Sequence, residues 1–214
     1  MIAQNLKNIL NTIPSEVILV AVSKTKPNSD IMEAYETGQR VFGENKVQDM
    51  VAKAEALPKD IQWHMIGHLQ SNKVKYIASF VSLIHGIDSL KLLKEVNKRA
   101  AQNDRVIDCL LQIHIAQEET KFGLDESEAR AVISTVEELK NIRIIGLMGM
   151  ATNTSDEAQV RIEFSRLKEL SIQLPTTNCQ LPTVSMGMSG DYLLAIQEGS
   201  TMIRVGSAIF GARN

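Results

Sequence analysis

Lys24 closes an apolar run over residues 17–22 and opens a polar turn over residues 23–28. A strand that ends in a lysine brings an amine to the edge of a fold, where desolvation disfavours the charged form. A neutral amine can attack a carbonyl carbon and form a Schiff base. Most lysines that end strands are solvated and unreactive, so this segment alone does not establish chemistry.

Two small-residue clusters near the end of the chain suggest an anion site. Ser185, Gly187 and Ser189 offer hydroxyls and close backbone approach, and Gly206 and Ser207 open a short helical turn whose free N–H groups attract anions. The alternative is that these residues only make tight turns. A lysine together with a phosphate site fits pyridoxal 5′-phosphate (PLP), which is held by a Schiff base at one end and by its phosphate at the other.

Arg204 lies just before the second cluster. A guanidinium beside a pyridine nitrogen donates a hydrogen bond and accepts no proton, so it would keep that nitrogen unprotonated and weaken the ring as an electron sink. The alternative is an ion pair with a neighbouring carboxylate. Glu44 and Asn45 could bind a ligand by hydrogen bonds, or Glu44 could simply start a helix.

The histidines give weaker signals. His64 and His68 are four residues apart, but Met65 stands where a zinc protease helix has glutamate, so a metal site is not favoured. His85 and His114 end predicted strands, where each could line the site or act as a structural histidine. No cysteine triad is indicated around either thiol.

Short β-branched runs alternate with longer amphipathic segments and would position these residues. After an N-terminal helix, strands are predicted at 17–23, 40–42, 61–66, 81–85, 106–115, 142–148, 181–185 and 201–205. Helices are predicted at 28–37, 44–56, 69–79, 89–102, 125–140, 156–173, 191–198 and 207–213. Eight alternating units predict an α/β fold, a single (β/α)8 TIM barrel domain over 1–214 with an extra N-terminal helix.

The alternative fold is an open doubly wound sheet, which usually carries a glycine-rich turn after its first strand. Residues 23–27 contain no glycine. In a barrel the carboxyl ends of the strands share one face, where function gathers. Lys24 and the segments 43–45, 67–73, 185–189 and 204–207 all follow predicted strands, so they should meet there.

Composition narrows the class of protein. The 214 residues carry a net charge of −2, with 44% hydrophobic and 22% charged residues. No basic stripe suggests nucleic-acid binding, and no run reaches the 18 or so apolar residues of a membrane span. The start of the chain lacks the features of a signal peptide. Cys109 and Cys179 fit buried thiols of a reducing compartment, so we expect a cytoplasmic protein.

The motifs together are specific, and they cover nearly the whole chain. They lie at residues 20–27 (VAVSKTKP), 42–45 (FGEN), 63–73 (WHMIGHLQSNK), 146–150 (GLMGM), 185–191 (SMGMSGD) and 199–211 (GSTMIRVGSAIFG). In these stretches the sequence resembles the pyridoxal phosphate homeostasis proteins, a family related in fold to the N-terminal barrel of alanine racemase.

The resemblance implies a role for each matching residue. Lys24 would be the Schiff-base lysine, Asn45 would lie near the PLP ring, and Arg204 would face the ring nitrogen. The phosphate would be held by Ser185, Gly206 and Ser207, and Met148 completes the predicted cofactor-binding set. Two departures are a short segment before the first strand and His114, which stands where many relatives have asparagine.

Two functions fit these residues. The favoured one is a PLP-binding protein of intracellular PLP homeostasis, which buffers PLP or delivers it to PLP-dependent apo-enzymes. The alternative is a small PLP-dependent amino-acid racemase, which needs an acid/base on each face of the cofactor. Alanine racemases take the second base, a tyrosine, from an additional β domain, which we do not expect after Asn214. Tyr35, Tyr76 and Tyr192 fall in predicted helices. We therefore expect a monomer without robust catalysis.

Overall fold

The computed structural model describes residues 1–118, 120, 122–174 and 179–212. Within these ranges, eight parallel strands form a closed barrel in chain order, because β1 pairs with both β2 and β8. The strands are β1 Ile18–Val22, β2 Val41–Glu44, β3 Gln62–Met65, β4 Leu83–Ile87, β5 Ile107–Gln112, β6 Ile142–Met148, β7 Thr183–Ser185 and β8 Met202–Val205. The predicted TIM barrel is confirmed.

Helices alternate with the strands and cover the outside of the barrel. They are α1 Ile2–Leu10, α2 Asn28–Glu36, α3 Val47–Ala56, α4 Leu90–Ala101, α5 Glu126–Ser134, α6 Glu157–Gln173, α7 Tyr192–Gln197 and α8 Ser207–Phe210. The extra N-terminal helix α1 packs against α2 and α8. Its buried side chains are Ile2, Leu6 and Ile9, spaced as an amphipathic helix requires. None of the described helices has the length and hydropathy needed to cross a membrane.

Two predicted helices differ most from those observed, while α3 begins three residues later than predicted and α8 ends at Phe210. The helix expected at 69–79 is a 3-10 helix over Ser71–Tyr76. The helix expected at 125–140 begins after the Asp125 cap but ends at Ser134, and a 3-10 turn follows at Val136–Glu138. The hydroxyls of Ser134 and Thr135 donate to carbonyls three residues back, which competes with regular helix geometry.

The barrel interior holds its own apolar cluster, separate from the larger core between strands and helices. It consists of Val20, Leu83, Leu110, Met148 and Met202. In the paired registers, Val20 lies beside Arg204, and His64 lies beside Leu83, so polar groups occupy the same inner face.

Strand β4 begins and ends two residues later than predicted, at Leu83–Ile87. His85 therefore lies within the strand and is fully buried, whereas the sequence placed it at the strand end. His85, predicted at the carboxyl end of its strand, therefore lies inside the barrel.

Candidate functional site

A cavity of about 430 Å³ opens at the carboxyl ends of the strands. We call it the barrel-mouth cavity. Its lining includes most of the residues that the sequence selected, together with several that it did not. The lining residues used below are Lys24, Lys26, Asn45, Gly67, His68, Gln112, Phe122, Met150, Ser189, Arg204, Gly206 and Ser207. Three of them are cationic, and none of the described lining residues is Asp or Glu, which suits an anionic ligand.

The backbone that carries Lys24 is fixed by the residue before it. The Ser23 N–H donates to the Gly43 carbonyl at 3.0 Å, which continues the β1–β2 ladder by one residue. The Ser23 carbonyl accepts from the Lys26 N–H at 3.0 Å and closes a tight turn. Thr25 in that turn has a φ of 65°, a conformation rare for a branched residue. Lys24, half-buried, therefore enters the cavity from a constrained turn.

A buried ion pair lies beneath this turn. The Lys53 ammonium, from α3, donates to Glu44 Oε1 at 2.7 Å and to the Ser23 carbonyl at 2.9 Å. The Ser23 hydroxyl donates to the same carboxylate oxygen at 2.6 Å. Glu44 is fully buried, and its Oε2 has no hydrogen-bond partner. Glu44 thus ties β1 to α3 rather than facing a ligand or starting a helix.

Asn45, which follows Glu44, reaches the cavity next to Gly67. A Cβ on Gly67 would lie 2.8 Å from the Cα of Asn45 and 2.9 Å from its Cβ. Because real Cβ atoms essentially never approach so closely, only glycine lets the loop after β3 pack against the loop after β2. Asn45, which is half-buried, therefore has its backbone close against Gly67.

The loops after β7 and β8 meet through Ser189. The Ser189 hydroxyl oxygen accepts from the Gly206 N–H at 3.2 Å and from the Ala208 N–H at 3.3 Å. Gly206 and Ser207 line the cavity beside it. The Ser189 oxygen is thus occupied by these two N–H groups, while its own hydrogen and the Ser207 hydroxyl remain as donors of the kind that a phosphate needs.

Arg204 lies at the bottom of the cavity and is 5% exposed. Its Nη1 donates to the Ser185 carbonyl at 2.8 Å and to the Ser185 hydroxyl at 2.7 Å, and its Nη2 donates to the Gly149 carbonyl at 3.0 Å. Burial lowers the pKa of Arg204 to about 10, against a small opposing effect of Asp191. None of the salt bridges among the described residues involves Arg204, so the predicted alternative of a carboxylate partner is not observed.

A chain of hydrogen bonds continues from Arg204 into the barrel. Ser185 Oγ lies 3.1 Å from His85 Nδ1, and His85 Nε2 lies 3.1 Å from His64 Nδ1. Arginine only donates, so the Ser185 hydroxyl oxygen accepts from Arg204. Burial lowers the pKa of His64 to about 3, and burial together with the charges of His64 and Arg204 holds the pKa of His85 well below its usual range. Both rings are therefore neutral.

Two predicted residues lie outside the cavity lining. Ser185 is fully buried, and its hydroxyl is used between Arg204 and His85, so the phosphate role predicted for Ser185 does not fit this position. Ser189, four residues later, lines the cavity instead. Met148 is 1% exposed within the interior cluster, whereas Met150 lines the cavity.

Several lining residues were not predicted as ligands, among them His68, Gln112 and Phe122. His68, Gln112 and Phe122 close the side opposite the serine–glycine loops, and Gln112 Nε2 holds the Phe122 carbonyl at 2.8 Å. His114 lies outside the lining, with Nε2 2.9 Å from the Glu118 carbonyl. The alternation of inward-facing residues along β3 and β4 could have indicated that His64 and His85 share the barrel interior. Their direct contact depends on the register between the two strands, which residue spacing does not give.

Other sequence alternatives find no support in the described part of the chain. No group of three or more His, Cys, Asp or Glu side chains there could hold a metal ion. Both cysteines are buried and free, and burial raises the pKa of each thiol.

An eight-stranded barrel with a lysine at the end of β1 and serine–glycine loops after β7 and β8 defines a barrel of the alanine racemase type. The family model described as alanine racemase, N-terminal domain, matches residues 1–214. The pyridoxal phosphate homeostasis protein of Aquifex aeolicus is 42% identical over 197 residues, covering 91% of this chain and 86% of that protein. The protein of the same name from Vibrio alginolyticus is 39% identical, and the match covers 100% of this chain and 98% of that protein. The chain therefore belongs to the family of pyridoxal phosphate homeostasis proteins.

Solved structures agree with this assignment. PipY of Synechococcus elongatus with PLP bound is 37% identical, with a TM-score of 0.89 over 99% of this chain and 100% of that chain. Alanine racemase from Bartonella henselae, which carries covalently bound PLP, is 16% identical with a TM-score of 0.78. This chain covers 99% of its own length but 58% of that racemase, and the likeness concerns the fold.

Proposed function

We propose that this protein binds PLP in the barrel-mouth cavity, as a Schiff base on Lys24, and serves PLP homeostasis by buffering the cofactor or delivering it to apo-enzymes. One observation carries the proposal. Lys24 lines the same cavity as Arg204 and as the loop that contains Gly206 and Ser207, although about 180 residues separate the amine from that loop. The cavity volume of about 430 Å³ lies within the range of small-molecule sites.

Each lining residue has a task in this proposal. Ser189, Gly206 and Ser207 hold the phosphate, and the neighbouring cation Lys26 adds to the attraction. Asn45 lies beside the ring, in the position that Gly67 fixes. When bound, PLP supplies an aldehyde carbon for amines and an electron-withdrawing ring.

Arg204 favours a carrier over an enzyme. Its guanidinium donates and cannot supply a proton to the ring nitrogen, so the ring stays a weak electron sink. The contacts to Ser185 and Gly149 hold Arg204 at the bottom of the cavity, and none of the salt bridges among the described residues involves it. A bound amino acid would therefore lose its proton more slowly than on a protonated ring.

The positions of the three tyrosines also disfavour the racemase alternative. The Tyr35 hydroxyl donates to Asp60 at 2.8 Å, Tyr192 lies 3.3 Å from the Thr12 hydroxyl, and Tyr76 is 52% exposed. None of the three lines the barrel-mouth cavity. The relatives named as homeostasis proteins, and PipY with PLP bound, support the carrier function.

A turnover assay separates the two functions. We expect PLP added to the purified protein to produce the absorbance of a Schiff base, which Lys24→Ala removes while the matched variant Lys26→Ala keeps it. With L-alanine or other amino acids, the loaded protein should racemise at well below about 1 per second, the low end of ordinary enzymes. Turnover at or above that rate would establish the racemase instead.

A further inference from the structure

His68 forms a second ionisable centre at the edge of the barrel-mouth cavity. Its Nδ1 lies 3.0 Å from Oδ2 of Asp88, which is 14% exposed. The imidazole stacks on the Phe122 ring with centroids 4.1 Å apart and planes 15° from parallel. Three features thus fix the ring: its backbone after β3, the carboxylate after β4 and the stacked phenyl ring.

This arrangement decides which nitrogen is basic. A carboxylate only accepts hydrogen bonds, so Nδ1 of neutral His68 carries the hydrogen. Its Nε2 then keeps the lone pair and can accept a proton. His68 lines the same cavity as Lys24, the space into which a reacting amine must enter.

Release of PLP from Lys24 to another amine requires such a base. A primary amine at neutral pH is an ammonium ion, and its nitrogen has no lone pair until a proton is removed. General-base assistance at such a step is worth about 100- to 10,000-fold in rate.

We propose that His68, oriented by Asp88, accepts the proton of the incoming ammonium when a primary amine displaces Lys24 from PLP, an inference that rests on the proposed function. The freed lone pair forms a C–N bond to the former aldehyde carbon of PLP. As this bond forms, the π bond between that carbon and Lys24 Nζ opens and its electron pair moves to Nζ. The attacking nitrogen then passes its second proton to Nζ, its electron pair forms the new C=N bond, and the C–Nζ single bond breaks with its electron pair left on Nζ. The proton held by His68 goes to Nζ, so the exchange involves no net gain or loss of protons. The substrates are primary amines, either free amino acids or a lysine side chain of a recipient protein.

Two amines of different protonation state test this step. Glycine is an ammonium ion at neutral pH, whereas hydroxylamine is already neutral and needs no base. Stopped-flow absorbance would follow the displacement of PLP from the loaded protein by each amine. We expect His68→Gln to slow displacement by glycine about 100-fold and to leave displacement by hydroxylamine unchanged. Asp88→Asn should slow the glycine reaction by about tenfold, because it removes the orienting carboxylate.

His114→Gln is the matched control, since His114 lies outside the cavity lining and a glutamine amide can keep the contact to the Glu118 carbonyl. It should react with both amines as the parent protein does. Nitrogen-15 NMR of the protein without PLP should show the His68 hydrogen on Nδ1, and Asp88→Asn should shift it towards Nε2.

An equal loss of rate with glycine and hydroxylamine in His68→Gln would overturn the proposal, since a merely structural role slows both. Unchanged glycine kinetics, or a His68 hydrogen on Nε2 in the parent protein, would overturn it too. Absence of a Schiff-base band in the parent protein would instead refute the proposed function itself.

Discussion

The buried pair His64 and His85 should make the protein sensitive to mild acid. Both side chains are neutral in the folded state, since folding lowers the pKa of His64 from 6.5 to about 3 and holds that of His85 well below 6.5. The unfolded chain regains ordinary histidines. Below pH 6.5 the unfolded chain binds protons that the folded protein does not bind, so the free energy of unfolding falls as pH decreases.

The magnitude can be worked out for His64, whose folded pKa of about 3 lies well below pH 5. Each pH unit below 6.5 costs about 1.4 kcal/mol. Between pH 7 and pH 5 the loss is therefore about 2 kcal/mol for His64, and His85, whose pKa is also lowered by burial, adds a loss of the same sign. This is a large share of the 5–15 kcal/mol that is typical of folded proteins.

Urea unfolding of the protein without PLP measures this loss directly. Trp63, the single tryptophan, is 3% exposed beside His64 and reports the transition by fluorescence. The double variant His64→Gln/His85→Gln should lose at least about 2 kcal/mol less than the parent protein between pH 7 and pH 5, whatever its stability at pH 7. His114→Gln should follow the parent protein. Equal losses in the parent protein and the double variant would show that the two histidines are not the source of the acid sensitivity.

Two further predictions concern the elements around the cavity. Lys53→Met leaves the Glu44 carboxylate buried without its cation, so it should lower the free energy of unfolding by about 3–5 kcal/mol, and adding Glu44→Gln should recover most of this loss in urea unfolding. Ser189→Ala should reduce the preference for PLP over pyridoxal, which lacks the phosphate, by about tenfold in binding titrations. The Ser185 hydroxyl contacts Arg204 and His85, so Ser185→Ala should leave that preference unchanged. A loss of preference in Ser185→Ala but not in Ser189→Ala would show that Ser185 binds the phosphate.

The fold could be predicted because each strand and helix has a recognisable local sequence pattern. Alternation of β-branched runs and amphipathic segments indicates the eight units, and parallel strands with helical crossovers close into a barrel. Helix ends were less predictable. In residues 134–136, serine and β-branched side chains weaken the helix, and only the packed structure shows that it stops there.

The site could be predicted in outline because the carboxyl ends of parallel strands must share a face. That rule places Lys24, Asn45, Arg204 and Gly206 together without any coordinate. It does not say which serine of a serine–glycine loop points inward. Ser185 is the last residue of β7 and turns into the barrel, whereas Ser189 lies beyond it in the loop.

The contacts between buried polar groups could not be predicted, because the partners lie on different elements of the fold. Glu44 and Lys53 are nine residues apart, a spacing with no meaning until α3 folds back over β2. His85 and Ser185 are 100 residues apart and meet only across the closed barrel. Such pairs depend on register, which a single sequence does not reveal.

The central claim is that Lys24 holds PLP covalently and reversibly. Borohydride reduction of the PLP-loaded protein, followed by peptide mass mapping, tests it most directly. We expect the reduced PLP adduct on Lys24 and no adduct in Lys24→Ala. An adduct on Lys26, which lines the same cavity, or on Lys73 in the parent protein would contradict it.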